Sequence, residues 1–260
     1  FLLLAILLIA YSIQAQEPYA IAPKHYGLTL TVDYDEEKLK GLCELRLTNE
    51  SERPVDSISL ILYRLMKVTE ATDDEDRPLR YSQAVTEFDD FGQLQVNQIY
   101  IYKPLQPGES TTVKLYYSGY LLGYAETGMQ YITDRISPEF TLIRFDTYAY
   151  PYPCLPDLDV LVLSAARKFG YSLTVNVPDS LVAVNGGKPV AKLSEEGIST
   201  YEYESKLPAW RIDIAVAPYK HITVEGINVF YYGNEEAAKR LSNNGERCMQ
   251  LYRSWWGKLK

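Results

Sequence analysis

The sequence predicts an all-β fold, an antiparallel sheet sandwich, and three observations predict it. Apolar residues recur at every second position in one short segment after another. Turn chemistry separates those segments, and no long run with helical three-and-four spacing occurs before residue 219. A chain of 260 residues, 47% hydrophobic and 23% charged, has ordinary globular composition and enough length for one large β domain or two modest ones.

The elements follow in order. Phe1 to Ala10 is almost wholly apolar and runs through Tyr11 to Ala15 into polar Gln16-Glu17-Pro18, the pattern of a signal peptide over residues 1–15. An exported chain is therefore expected, periplasmic, cell-surface or secreted, with no stable membrane span once the leader is cleaved. Tyr26, Leu28, Leu30, Val32 and Tyr34 alternate with Gly27, Thr29, Thr31 and Asp33, which reads as a strand. A charged turn at Asp35 to Lys38 and a second alternation through Gly41, Cys43, Leu45 and Leu47 complete a hairpin. Ser57 to Tyr63 is apolar enough for a strand covered on both faces, and Glu70 to Asp76 reads as an exposed acidic loop. Strands at Leu94 to Tyr102 and Ser110 to Tyr117 flank the Pro107-Gly108 turn. Leu121 to Pro156 is irregular and long for a connector, the kind of segment that carries function. Alternation returns at Tyr171 to Val177, Leu181 to Val184, Thr200 to Glu204 and Arg211 to Val216. After Pro218 one or two short strands precede a helix capped by Asn234, whose spacing of Ala238, Leu241, Cys248, Tyr252 and Trp255 predicts a buried face.

Charge and motif content narrow the function. A net charge of -8 leaves no basic face for phosphates, which argues against a nucleic-acid partner. The 23 tyrosines suit half-buried strand positions, with a sugar or peptide groove as the lesser alternative. Cys43, Cys154 and Cys248 form no Cys-x-x-Cys pair; Cys43 and Cys154 either pair in an oxidising compartment or sit as small buried hydrophobes. Asn49-Glu50-Ser51 satisfies a glycosylation sequon. The acidic stretch lacks the spaced ligands and glycine of a calcium loop. His25 and His221 lie 196 positions apart, outside any zinc-binding spacing, so no metal ligands are assigned here.

Four stretches in order resemble the aminopeptidase N and leukotriene hydrolase family of zinc metallopeptidases, over residues 24–260. They are the Tyr26 to Asp33 strand with Gly41 to Leu45; Leu105-Gln106-Pro107-Gly108-Glu109 with Tyr117-Ser118-Gly119; Val177-Pro178 through Gly186; and Leu207-Pro208-Ala209-Trp210 through Tyr219, with Tyr252 to Gly257 after it. The resemblance implies a saddle-like N-terminal β domain over 18–219, and over 220–260 the truncated start of an α/β thermolysin-like catalytic domain. It also implies a His-Glu-x-x-His zinc motif beyond Lys260, so zinc belongs to the full-length protein and not to this stretch, which by itself has no catalytic residue and should be inactive.

Counting back from Pro153-Cys154, the resemblance puts Glu139, Leu142, Ile143 and Arg144 where the family's front domain grips a substrate's free amine, with Arg144 at the gripping position. A guanidinium about 4 Å from an ammonium is repelled by roughly 4 kcal/mol at an effective dielectric near 20, so Arg144 departs from the pattern: either the substrate differs, or the gripping residue lies elsewhere and Arg144 is a solvated or salt-bridged strand residue. Glu139, Asp146 or Glu126 would then supply the carboxylate. The implied activity is removal of N-terminal residues from peptides, the peptide substrate being held with the catalytic domain. The alternatives are a non-catalytic relative serving as a binding or scaffold module, and an unrelated β-sandwich binding module.

Overall fold

The computed structural model describes residues 17–224 and 226–257; the expected leader over 1–15 lies outside them. The chain is mostly β. Sixteen strands occur among the described residues: β1 (Ile21–Asp33), β2 (Lys38–Asn49), β3 (Ile58–Tyr63), β4 (Met66–Thr72), β5 (Tyr81–Phe88), β6 (Phe91–Ile101), β7 (Ser110–Tyr120), β8 (Thr141–Ile143), β9 (Tyr152–Pro153), β10 (Gly170–Pro178), β11 (Val182–Asn185), β12 (Lys188–Glu195), β13 (Ile198–Glu204), β14 (Ile214–Ala217), β15 (Lys220–Val224) and β16 (Ile227–Tyr231). Two α-helices join them, α1 (Leu158–Ala165) and α2 (Glu235–Trp256).

A seven-stranded sheet in the order β12-β13-β10-β1-β2-β7-β4 forms the main layer. Its alternation is the one read from sequence: Tyr26, Leu28, Leu30 and Val32 point into the core while Thr29 and Thr31 face solvent. The sheet is mixed where the sequence predicted antiparallel pairing, because β1 and β10 run parallel, Tyr26 opposite Tyr171 and Leu30 opposite Val175. Parallel neighbours need a long crossover. The irregular segment between β7 and β10 supplies it.

A four-stranded sheet, β5-β6-β3-β9, packs against the main layer, and β3 is buried at every position. The smaller sheet β11-β14-β8 covers another part of the inner face. Tyrosines tie these layers together by burying the ring and hydrogen-bonding the tip to backbone of another segment. Tyr117 donates to the Ala149 carbonyl at 3.2 Å, Tyr152 to Ser164 at 2.8 Å and Tyr203 to Ala183 at 2.7 Å. This is the sheet-and-core use of the tyrosines.

Residues 121–156, singled out as irregular, are largely interior: Leu121, Tyr124, Ile132, Ile143, Tyr150 and Cys154 are all buried. Gly123 is needed there, since its φ is +69° and an added Cβ would lie 2.3 Å from the Ile132 carbonyl oxygen. The acidic stretch is also less loop-like than read. Glu70 to Thr72 finishes β4, with Ala71, Thr72 and Asp73 buried. Asp73 accepts the Glu75 and Arg77 backbone N–H groups and pairs with the Arg77 guanidinium, which satisfies its carboxylate inside a tight turn.

The hairpin β15–β16 and α2 pack on each other. Asn234 caps α2 as predicted, accepting the Ala237 N–H at 2.9 Å. The buried stripe is displaced from the predicted one. Ala238 and Ser242 face the hairpin, with Gly245 near Ile227, whereas Leu241, Cys248, Tyr252 and Trp255 are exposed. The Ser242 hydroxyl donates to the Val224 carbonyl at 3.1 Å, so small residues, not the large apolar ones, make the contact. No described helix is long and apolar enough to cross a membrane.

Candidate functional site

The short strand β8 and the turn after it place the residues singled out near Arg144. Thr141 and Ile143 point inward, and Ile143 is fully buried opposite Ile214 of β14. Ile143 is a core side chain. Leu142 points the other way and, with exposed Glu139, lines a cleft of about 390 Å³ whose walls also include Thr133, Asp134, Arg135 and Phe140. The loop below is held by Thr141, whose hydroxyl donates to the Ser137 carbonyl and accepts the Ser137 N–H, both at 2.9 Å.

Arg144 leaves β8 in extended conformation and reaches back to Asp134. Its Nε and Nη2 donate to the two carboxylate oxygens at 2.6 and 2.9 Å, a bidentate fork on a buried acid. Hydrogen bonding to Asp134 holds the guanidinium above its already high pKa, so it stays charged. Asp146, two residues on, lies 3.5 Å from Arg144 and 2.6 Å from Arg211. Arg211 in turn grips Asp213 and lies over the Trp210 ring, 4.9 Å from its centroid. Burial works against the charge on Arg211, and the hydrogen bonds to Asp213 and Asp146 outweigh it.

The result is a chain of alternating charge, Asp134–Arg144–Asp146–Arg211–Asp213. Two guanidiniums face three carboxylates, so the cluster carries one excess negative charge. Asp146 and Asp213 keep about 40% of their side-chain surface in solvent, against 5% for Asp134. The repulsion expected of an isolated Arg144 is therefore offset at the site itself, and the open acids sit on its solvent side. Of the other acids considered from sequence, Glu126 is committed to Arg64, a buried arginine lying between the Tyr63 and Tyr124 rings.

The sequence singled out Arg144 and Asp146 but not Asp134, Arg211 and Asp213, which the structure joins to them. The pairing across 10 and 65 positions arises only when the loop before β8 and the segment before β14 close on each other. No local spacing signals it.

The histidines lie elsewhere. His221 stacks on Phe230 at 4.7 Å, and burial with the neighbouring Arg46 charge lowers the pKa of His25. Among the described residues no three His, Cys, Asp or Glu side chains come together as a metal-binding group, and this donor set does not fit zinc.

No protein-family model matches the chain, and neither does any curated protein. Solved structures do match. An M1 zinc metallopeptidase from Deinococcus radiodurans, crystallised as a variant with a Tyr-Ser-Ala substrate, superposes with a TM-score of 0.58 at 19% identity, covering 92% of this chain and 54% of that one. A two-domain M1 zinc metallopeptidase variant bound to L-arginine gives a TM-score of 0.59 at 18% identity with the same coverage. The chain thus spans about half the length of the structures it matches. What it shares with them is the fold of the M1 N-terminal domain.

Proposed function

We propose, from the premise that this chain carries the N-terminal fold of M1 zinc metallopeptidases, that it is the substrate-side β domain of an exported zinc aminopeptidase. In this reading residues 18–219 form the saddle-like front domain, and β15, β16 and α2 begin a thermolysin-like catalytic domain that supplies the zinc. The observation that carries it is the fold likeness over 92% of the chain. The acidic excess beside Arg144 agrees with it, because a substrate's α-ammonium would meet Asp146 or Asp213 and not a bare guanidinium. Arg144 then positions Asp146, with Glu139 and Leu142 on the adjoining cleft wall.

The gene beyond Lys260 is the first test: a His-Glu-x-x-His motif within about one domain length, roughly a hundred residues, is expected. Protein made from the full reading frame should cleave an aminoacyl reporter, and Asp146→Asn should raise KM more than it lowers kcat. A reading frame without the motif would leave the second reading, a non-catalytic binding or scaffold module. That reading is favoured by one observation, an arginine where the family resemblance puts the amine-gripping residue.

A further inference from the structure

The seven-stranded sheet ends at β12, and its inner face breaks the apolar pattern there. Lys192 stands opposite Tyr201, and Tyr201 stands opposite Val175, so the three share one face. Lys192 is a cation in a row that is otherwise core, and its Nζ lies 5.1 Å from the Tyr201 ring centroid. The smaller sheet reaches this face through β11, where the Tyr201 and Tyr203 hydroxyls donate to the Leu181 and Ala183 carbonyls. Beyond β11 a cleft of about 590 Å³ opens between the two sheet edges, beside the β15–β16 hairpin.

Its walls are apolar: Val182 and Val184 from β11, Val190 from β12, the rings of Tyr201 and Tyr203, and Phe230 from β16. The tyrosine tips are already bonded to backbone, so the rings offer mainly apolar surface. A bulge between Pro189 and Ala191 turns successive β12 residues toward the space. Asn228 lines it too; its carbonyl oxygen accepts the Thr223 hydroxyl at 2.8 Å, which leaves the amide N–H groups to donate. No acidic side chain is among the lining residues. Lys188 on the same strand is paired with Glu204 at 2.9 Å, whereas Lys192 has no carboxylate partner among the described residues.

We propose that this cleft binds a small amphipathic carboxylate. The anionic head pairs with Lys192 and the Asn228 amide, and the hydrocarbon or aryl body lies on the valines and tyrosine rings. Volume and lining suit a ligand of this size: the pocket is mostly apolar, with Lys192 and Asn228 among its few polar side chains. The site lies outside the Arg144 cluster and does not depend on the peptidase reading. A lysine on an exposed edge strand also serves to prevent edge-to-edge pairing, and the experiment separates the two roles.

Calorimetric titration of the full chain with decanoate and with decanol is the test. Saturable one-to-one decanoate binding is expected, weakened at least about tenfold by Lys192→Met because a charge-assisted contact is lost. Decanol binding should be little changed by the same substitution. Lys188→Met should bind decanoate like the unmodified protein, and so should a Trp255→Ser/Trp256→Ser variant, which removes a second exposed apolar surface. Lys192→Gln repeats the measurement should the methionine variant fold poorly. Absence of saturable binding, decanoate affinity in the Lys192 variants equal to that of the unmodified protein, or loss of binding in the tryptophan variant would overturn the proposal. So would Lys192 variants that change only self-association in sedimentation.

Discussion

Cys43 and Cys154 lie inside the core as free thiols, and Cys248 lies on the open side of α2. Burial pushes the Cys154 thiol up to about 12 and Cys43 higher still, which removes the reactive thiolate at neutral pH. Native protein treated with a thiol-disulfide reagent should therefore react at Cys248 alone, and the two buried thiols should appear only on denaturation. Reaction of all three at one rate would contradict the burial. Asn49 is a second case where environment decides chemistry. The sequon is present, yet the side chain is fully buried, donating to the Arg53 and Leu105 carbonyls and accepting from Ser51. Folded protein should carry no glycan there, as intact-mass measurement after eukaryotic expression would show. Asn49→Ala should lower stability by about 1–2 kcal/mol in urea unfolding, because a fully buried amide and its bonds to the Arg53 and Leu105 carbonyls are removed. At the proposed site, Arg144 was singled out by an offset counted from Pro153-Cys154, which is local. Its fork on Asp134 was not legible, because the loop before β8 brings that acid back to it.

Elements were legible in proportion to how cleanly one face is buried. β1, β2, β10 and β13 alternate because they sit inside the main sheet; β5 and β12 are edge strands, mostly exposed, and give no periodic signal. β4 was hidden by its charge, since Glu70 faces solvent while Ala71 and Thr72 are buried. Its approach to β7 depends on Gly119, where an added Cβ would fall 2.1 Å from the Leu65 carbonyl oxygen. Gly119→Ala should therefore cost about 2–3 kcal/mol by urea unfolding. Gly186→Ala, with open space around it and no left-handed backbone, should change little. The turn after β4 predicts a pH effect. Hydrogen bonding to Arg77 holds the Asp73 carboxyl below its usual range. Its folded pKa is thus lower than its unfolded value of about 4, so its contribution is present above about pH 4 and fades as pH falls through the folded pKa. Stability of Asp73→Asn, followed by urea titration from pH 7 to pH 3, should fall less steeply than that of the unmodified protein.

For the whole molecule, α2 keeps its large apolar residues outside: Leu241, Leu251, Tyr252, Trp255 and Trp256 are all exposed, and the last three rings contact one another. An apolar patch of this kind drives association. Replacing Trp255 and Trp256 by serine should reduce self-association in sedimentation velocity while leaving the melting of the β body unchanged; a lowered melting temperature would mean the rings support the fold. Sequence alone determined the β class, the inward and outward faces of the central strands and the start of α2, because period-2 alternation and an asparagine cap are local physics. Only the tertiary structure decided that β1 and β10 run parallel, that small residues seat α2, and that Arg144 sits in an acidic cluster. Each of these depends on segments distant in sequence meeting in space, and that meeting is set by the packing of the whole core, not by any local pattern.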